Sequence, residues 1–111
     1  MAGTGYEKVS DTRHGLLECE DMIDQSLPAH KGTITFELRE TCVYYSFEIR
    51  NNVDMLLYAQ SVPVSLRVID PQQDPFDAAM KHAVERIGKL RRSRKQLFRV
   101  TRVEWQNKSA T

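Results

Sequence analysis

The sequence predicts an α+β two-layer sandwich: an antiparallel sheet of four to five strands with two helices on one face, in the order α-β-β-β-β-α-β. Two segments show apolar residues at helical spacing, and the segments between and after them alternate apolar and polar residues as strands do. A helix buries one stripe and an antiparallel sheet one face, so both helices are expected on the same face. The 111 residues are predicted to form one domain over 10–106, with a flexible N-terminal arm at 1–9 and a flexible C-terminal tail at 107–111.

A first helix is predicted over residues 10–27. Its apolar positions recur at steps of three and four residues: Leu16, Cys19 or Glu20, Ile23 and Leu27. Pro28 ends it, because a residue that precedes proline avoids the α region. The outer face would carry four carboxylates that do not converge as metal ligands do: Glu18, Glu20, Asp21 and Asp24.

Four strands in a meander are predicted to follow this helix. The first two alternate clearly, with one face formed by Ile34, Phe36 and Leu38, and by Val43, Tyr45, Phe47 and Ile49. The short connection at 39–41 makes them an antiparallel hairpin, and Asn51-Asn52 supplies the next turn. The third strand spans 53–60 and the fourth 62–68. Pro63 lacks an N–H group, so that end of the fourth strand is expected at an edge of the sheet or at a bulge.

The second helix has the clearest boundaries in the chain. Asp74 is its predicted N-cap and Pro75 its first residue. Its buried stripe is Phe76, Ala79 or Met80, Ala83, Ile87 and Leu90. The cations Lys89, Arg91 and Arg92 suit its C-terminal end. A last strand over 96–105 is predicted to rejoin the sheet at an edge or to pair with another subunit.

Charge is segregated along the chain although its formal net charge is only +1. Residues 1–80 hold six Lys or Arg and 13 Asp or Glu, a net charge of −7, whereas residues 81–111 hold ten Lys or Arg and two Glu, a net charge of +8. Such asymmetry between two halves indicates an anionic partner. Nine of the basic residues lie between Lys81 and Arg102, with Glu85 as the one acid among them.

These observations predict a non-enzymatic binding module for an anionic polymer, RNA or single-stranded nucleic acid, through segment 89–102. Arginine binds phosphate with two hydrogen bonds and stacks on bases, and each neutralised phosphate releases counterions. The expected contact residues are Lys89, Arg91, Arg92, Arg94, Lys95, Arg99 and Arg102. Phe98 and Trp105 would supply stacking surface if exposed. Strand alternation would place Arg94, Gln96, Phe98, Val100 and Arg102 on one side and Lys95, Leu97, Arg99, Thr101 and Val103 on the other.

Two alternatives remain open from the sequence. The basic segment could be neutralised within the fold by the acidic first helix, as a surface network of weak ion pairs. The chain could instead be a protein–protein adaptor or inhibitor that uses its charged faces or a sheet edge. The apolar strand Val62–Ile69 lies near one edge, which is either protected by Pro63 and Arg67 or the seam of a homodimer. A two-fold dimer would place two basic segments on one particle.

No catalytic residue, cofactor or metal site is predicted. The three histidines, His14, His30 and His82, lie far apart and no glycine motif precedes a helix as in phosphate-binding loops. Cys19 and Cys42 are interpreted as reduced, at least partly buried thiols. No apolar run spans a membrane and no signal peptide is visible, so we expect a cytoplasmic or nuclear protein without a membrane partner.

Overall fold

The computed structural model describes residues 7–106 and contains one five-stranded sheet, one helix and one small hairpin. The sheet strands are β1 (Asp11–Asp21), β2 (His30–Leu38), β3 (Cys42–Arg50), β4 (Leu56–Ser65) and β7 (Phe98–Trp105), and the helix is α1 (Pro75–Gly88). The hairpin consists of β5 (Arg91–Arg92) and β6 (Lys95–Gln96). Part of the predicted arm, residues 1–6, and the whole predicted tail, 107–111, lie outside the described residues.

All neighbouring strands of the sheet are antiparallel, and their spatial order is β4-β3-β2-β1-β7. Side chains alternate between an inner face under α1 and an open outer face. The inner face holds the largest fully buried side chains: Tyr45, Phe36, Phe47, Ile34, Ile49 and Val43. The predicted α+β class and an antiparallel sheet under a helix are confirmed, with one helix in place of two.

The predicted helix over 10–27 is wrong, because residues 11–21 form β1. Its buried residues are Gly15, Leu17 and Cys19, at the period of two that a strand requires. Ile23 and Leu27, which completed the helical spacing, are exposed in the connection to β2. Both edges of β1 are hydrogen-bonded, to β2 and to β7, and these long-range pairings override the local spacing.

The two predicted strands at 53–60 and 62–68 are also wrong as separate elements, because β4 runs without a break from Leu56 to Ser65. Three strands therefore follow β1 where four were predicted, and together with β1 they form the meander β1-β2-β3-β4. Leu66–Val68 forms a 3-10 turn. Each residue of β3 from Cys42 to Arg50 has a partner on β4, so β4 extends along the whole length of β3 without a turn. Of the two expectations for Pro63, an edge or a bulge, the structure has the edge, because β4 is the first strand of the sheet order.

Helix α1 follows the sequence prediction closely. The Asp74 carboxylate accepts hydrogen bonds from the N–H groups of Phe76 and Asp77, and Pro75 is the first helical residue. The buried stripe is Phe76, Ala79, Met80, Ala83 and Ile87. Across this interface the buried Tyr45 hydroxyl lies 2.9 Å from Nδ1 of His82. The helix ends at Gly88, so Arg91 and Arg92 lie beyond its end.

Candidate functional site

The first part of the basic segment, residues 91–96, forms a hairpin that projects just after the C-terminus of α1. Arg91 pairs with Gln96 and Arg92 with Lys95, and Ser93-Arg94 form the two-residue turn. The base is fixed by the N–H of Leu97, which donates to the C=O of Leu90 at 3.0 Å. Buried Leu97 anchors this base in the core, whereas residues 91–95 are all exposed. We call residues 89–96 the basic hairpin.

The basic hairpin holds five cations, and none of them has an acidic partner among the described residues. No carboxylate in residues 7–106 lies within 4.0 Å of Lys89, Arg92, Arg94 or Lys95. Arg91 has a structural role, because its guanidinium donates to the C=O groups of Gly88 at 2.8 Å and Leu90 at 3.2 Å, at the negative end of the helix dipole. The other four side chains are therefore available to an anion.

Two features make the basic hairpin unfavourable as a purely structural element. Ser93 and Arg94 both have positive φ, 52° and 67°, where two-residue hairpin turns usually place Asn and Gly. Arg92 lies directly opposite Lys95, and like charges at directly opposed positions destabilise strand pairing. The hairpin therefore gains no stability from its own turn residues or from the pairing of Arg92 with Lys95.

Arg99 and Arg102, the other two predicted contact residues, belong to a different surface. Both lie on the outer face of the sheet, where Arg99 is opposite Glu20 and Arg102 is opposite Glu18. The Arg99 guanidinium donates to the Glu20 carboxylate at 2.5 Å. Neutralisation by the acidic segment 10–27, the first alternative from the sequence, thus describes Arg99. The carboxylate near Arg102 is Glu104 of the same strand, at 3.8 Å. The basic hairpin has no such partner in the described part of the chain.

The predicted alternation of residues 94–103 along one strand is wrong. Residues 94–96 belong to the hairpin, and a β-bulge interrupts the register between β1 and β7. Val100 pairs with Cys19 and Arg102 with Glu18, so Thr101 is an extra residue, and its hydroxyl donates to the Glu18 C=O at 3.3 Å. The bulge brings Arg99 and Arg102 to the same face, which no regular alternation allows.

The predicted stacking surface is absent from the basic hairpin. Phe98 is buried, and its ring meets that of His30 edge-on with centroids 6.0 Å apart. Trp105 lies at the far end of β7, half-buried against Phe36 at 5.3 Å, and its Nε1 donates to Asp77 at 3.2 Å. Neither ring is presented to a base beside the cations, so binding at the basic hairpin would depend on charge.

A group of reactive side chains that the sequence does not reveal lies in the core. Cys19 and His30 are direct cross-strand partners on the inner face, and Nε2 of His30 lies 3.0 Å from the Asp21 carboxylate. The arrangement superficially matches a nucleophile, a base and an orienting carboxylate. Cys19 is fully buried, however, and burial raises the pKa of its thiol to about 12. The thiol therefore stays protonated and closed to a substrate. Cys42, the other cysteine, is free and half-buried.

Asp21 contributes to stability through its charge. Burial would raise the pKa of its carboxyl, but hydrogen bonds from His30 and from the N–H groups of Asp24 and Ile23 outweigh burial and hold the pKa below its usual value. Because the folded-state pKa is depressed, this stabilisation is present above the unfolded-state pKa, about 3.9, and is lost as the pH falls through the folded-state value.

We expect Asp21→Asn to lower the free energy of unfolding at pH 7 and to flatten its dependence on pH below 5. The amide oxygen can still accept the two backbone hydrogen bonds, so the change removes mainly the charge. Urea unfolding of both proteins from pH 7 to pH 2 measures the effect, with exposed Glu40→Gln as the control. Parallel curves for wild type and Asp21→Asn would show that the Asp21 charge contributes nothing.

Within residues 7–106, no group of three or more His, Cys, Asp or Glu side chains is placed to hold a metal ion. The helix of this part of the chain is too short and too polar to cross a membrane.

Comparison of the chain with protein-family models, with curated proteins and with solved structures finds no match. The inference of function therefore depends on the geometry and charge of the sites described above.

Proposed function

We propose that the protein binds an anionic polymer, RNA or single-stranded nucleic acid, by its phosphate groups through the basic hairpin. The observation that carries the proposal is the set of four exposed cations, Lys89, Arg92, Arg94 and Lys95, without an acidic partner in the described part of the chain. The hairpin is anchored through Leu97, so these cations are held on a fixed base.

The chemistry of the side chains favours phosphate. The guanidinium groups of Arg92 and Arg94 each offer a planar pair of donors that matches two phosphate oxygens. Lys89 and Lys95 add point charges at the base and on the second strand of the hairpin. Neutralising several phosphates releases counterions, which gives affinity that depends on charge density rather than on base sequence.

Recognition of base identity is not part of the proposal. The aromatic rings near the segment are engaged in the core, as the contacts of Phe98 and Trp105 show. Without a stacking platform, the basic hairpin would contact the sugar–phosphate chain and tolerate many sequences. Arg99 and Arg102 lie next to glutamates and would add less to binding than the hairpin cations.

Fluorescence anisotropy of labelled single- and double-stranded RNA and DNA tests the proposal. We expect sub-micromolar binding at low salt, and engagement of all four cations would give a plot of log affinity against log salt with a slope of about −3 for a single strand. Unlabelled poly-glutamate serves as a competitor of similar charge density, and displacement of RNA by it at equal charge would point to an acidic protein surface instead. Absence of binding to every nucleic acid at low salt would refute the proposal.

A further inference from the structure

The two edges of the sheet differ in their capacity to accept another strand. β4 forms one edge and contains Pro63, which has no N–H to offer. β7 forms the other edge, and its residues 101–104 are all exposed, with Val103 at 41%. An exposed edge with unpaired backbone groups is a template for pairing with another strand.

The hydrogen bonds of β7 show which of its backbone groups face outward. The N–H of Gln106 donates to the C=O of His14 on β1 at 2.9 Å. Along an antiparallel strand the backbone groups of successive residues point to opposite sides. The N–H and C=O groups of Trp105 and Val103 therefore point away from β1, toward the free edge.

From this edge we infer that the protein forms a two-fold homodimer in which β7 pairs antiparallel with β7 of a second copy, with the axis at Val103. A two-fold axis makes the contact self-complementary. A residue a given number of positions before the axis in one copy then lies opposite the residue the same number of positions after the axis in the other copy. Val103 then exchanges both hydrogen bonds with Val103 of the second copy, and Thr101 lies opposite Trp105. The sheet continues through the seam as ten strands.

Charge favours an axis at Val103 over an axis at either of its two neighbours. An axis at Arg102 would place two arginines face to face, and an axis at Glu104 two glutamates. An axis at Val103 instead places Arg102 opposite Glu104 of the second copy, twice per dimer. These residues form a pair without hydrogen bonds across the seam, with Cα atoms about 4.5 Å apart, the spacing at which side chains lie closest. Within one chain the same two charges are only loosely associated, at 3.8 Å.

The neighbouring strand supports the same pairing. Across the outer face, Lys31 of β2 lies opposite Glu18 of β1, which lies opposite Arg102 of β7. Glu104 of a second copy would extend this row with alternating sign. Val103, on the inner face, would meet its own copy and bury apolar surface that is now exposed. The inference does not depend on the proposed function, because the seam and the basic hairpin are separate surfaces.

Charge reversal at the seam gives a specific test by analytical ultracentrifugation across the micromolar range. Wild type is expected to be dimeric. Arg102→Glu alone places two glutamates at each contact, and Glu104→Arg alone places two arginines, so each variant is expected to dimerise roughly tenfold more weakly or worse. An equimolar mixture of the two variants restores both opposite-charge contacts, so it should recover the dimer as a heterodimer.

The control is Glu40→Arg, the same change of charge in the β2–β3 turn, which should leave the dimer intact. Circular dichroism verifies folding, and Glu104→Arg is the safer single variant because Glu104 lies opposite Leu16 rather than a charge. A monomeric wild type, single variants that dimerise as well as wild type, or a mixture that stays monomeric would each overturn the inference.

Discussion

Phe36→Ala is expected to lower the free energy of unfolding by about 3–5 kcal/mol, a large part of the 5–15 kcal/mol typical of a domain. Phe36 is fully buried on β2, and its ring centroid lies 5.7 Å from that of Tyr45 and 5.3 Å from that of Trp105. Truncation removes these contacts and leaves a cavity between the sheet and α1. Urea unfolding followed by circular dichroism measures the change.

Thr35→Ala is the matched control for Phe36→Ala. Thr35 is the preceding residue on the same strand but lies on the outer face, where its hydroxyl is 3.2 Å from Nδ1 of His14. Loss of this exposed contact should cost no more than about 1 kcal/mol. Equal destabilisation by the two substitutions would contradict the assignment of the inner and outer faces. Phe36→Leu, which keeps most of the volume, should lie between them.

The triple variant Arg92→Ala, Arg94→Ala and Lys95→Ala is expected to weaken RNA binding about 100-fold at moderate salt and to reduce the salt slope by about 2. It removes three of the four unpaired cations of the basic hairpin and retains Arg91, which holds the end of α1. It also removes the like-charge pair Arg92 and Lys95, so the free energy of unfolding should remain equal or rise. Anisotropy titrations at several salt concentrations measure both effects.

The control for the triple variant removes the same number of positive charges at the other end of the sheet, by Lys8→Ala, Arg39→Ala and Arg67→Ala. A local phosphate contact predicts that the control keeps most of the affinity, since exposed charges farther apart than the Debye length, about 8 Å at physiological salt, are largely screened. If both variants lose affinity equally, net charge rather than the basic hairpin governs binding, and the proposed site is wrong.

Local patterns predicted the elements whose signals lie within a few consecutive residues. Asp74 and Pro75 mark the start of α1 because capping depends on neighbouring backbone groups. β2 and β3 were predictable because they pair through a short turn and alternate without interruption. Pro63 indicated an edge or a bulge, since its missing N–H cannot serve a regular central strand, and β4 is an edge strand. Each of these predictions depended only on residues that are close to one another in the sequence.

The candidate site was predictable as a composition but not as a shape. The sequence shows seven cations in 89–102, but it does not show that they divide between two surfaces. Their division depends on the tight turn at Ser93-Arg94 and on the extra residue Thr101. The turn residues are Ser93 and Arg94, and neither is the Gly or Asn that usually occupies a turn with positive φ, so the local sequence does not predict the hairpin. The bulge exists only relative to the register of β1.

The sequence by itself therefore determined the α+β class, the position of α1, the hairpin of β2 and β3, and the concentration of positive charge after residue 80. Only the tertiary structure decided that residues 11–21 are a strand, that β4 is continuous and that Arg99 faces Glu20, 79 residues away. The reason is physical: hydrogen bonds between strands distant in sequence outweigh a local preference, and a pattern read along the chain contains no information about partners across the sheet.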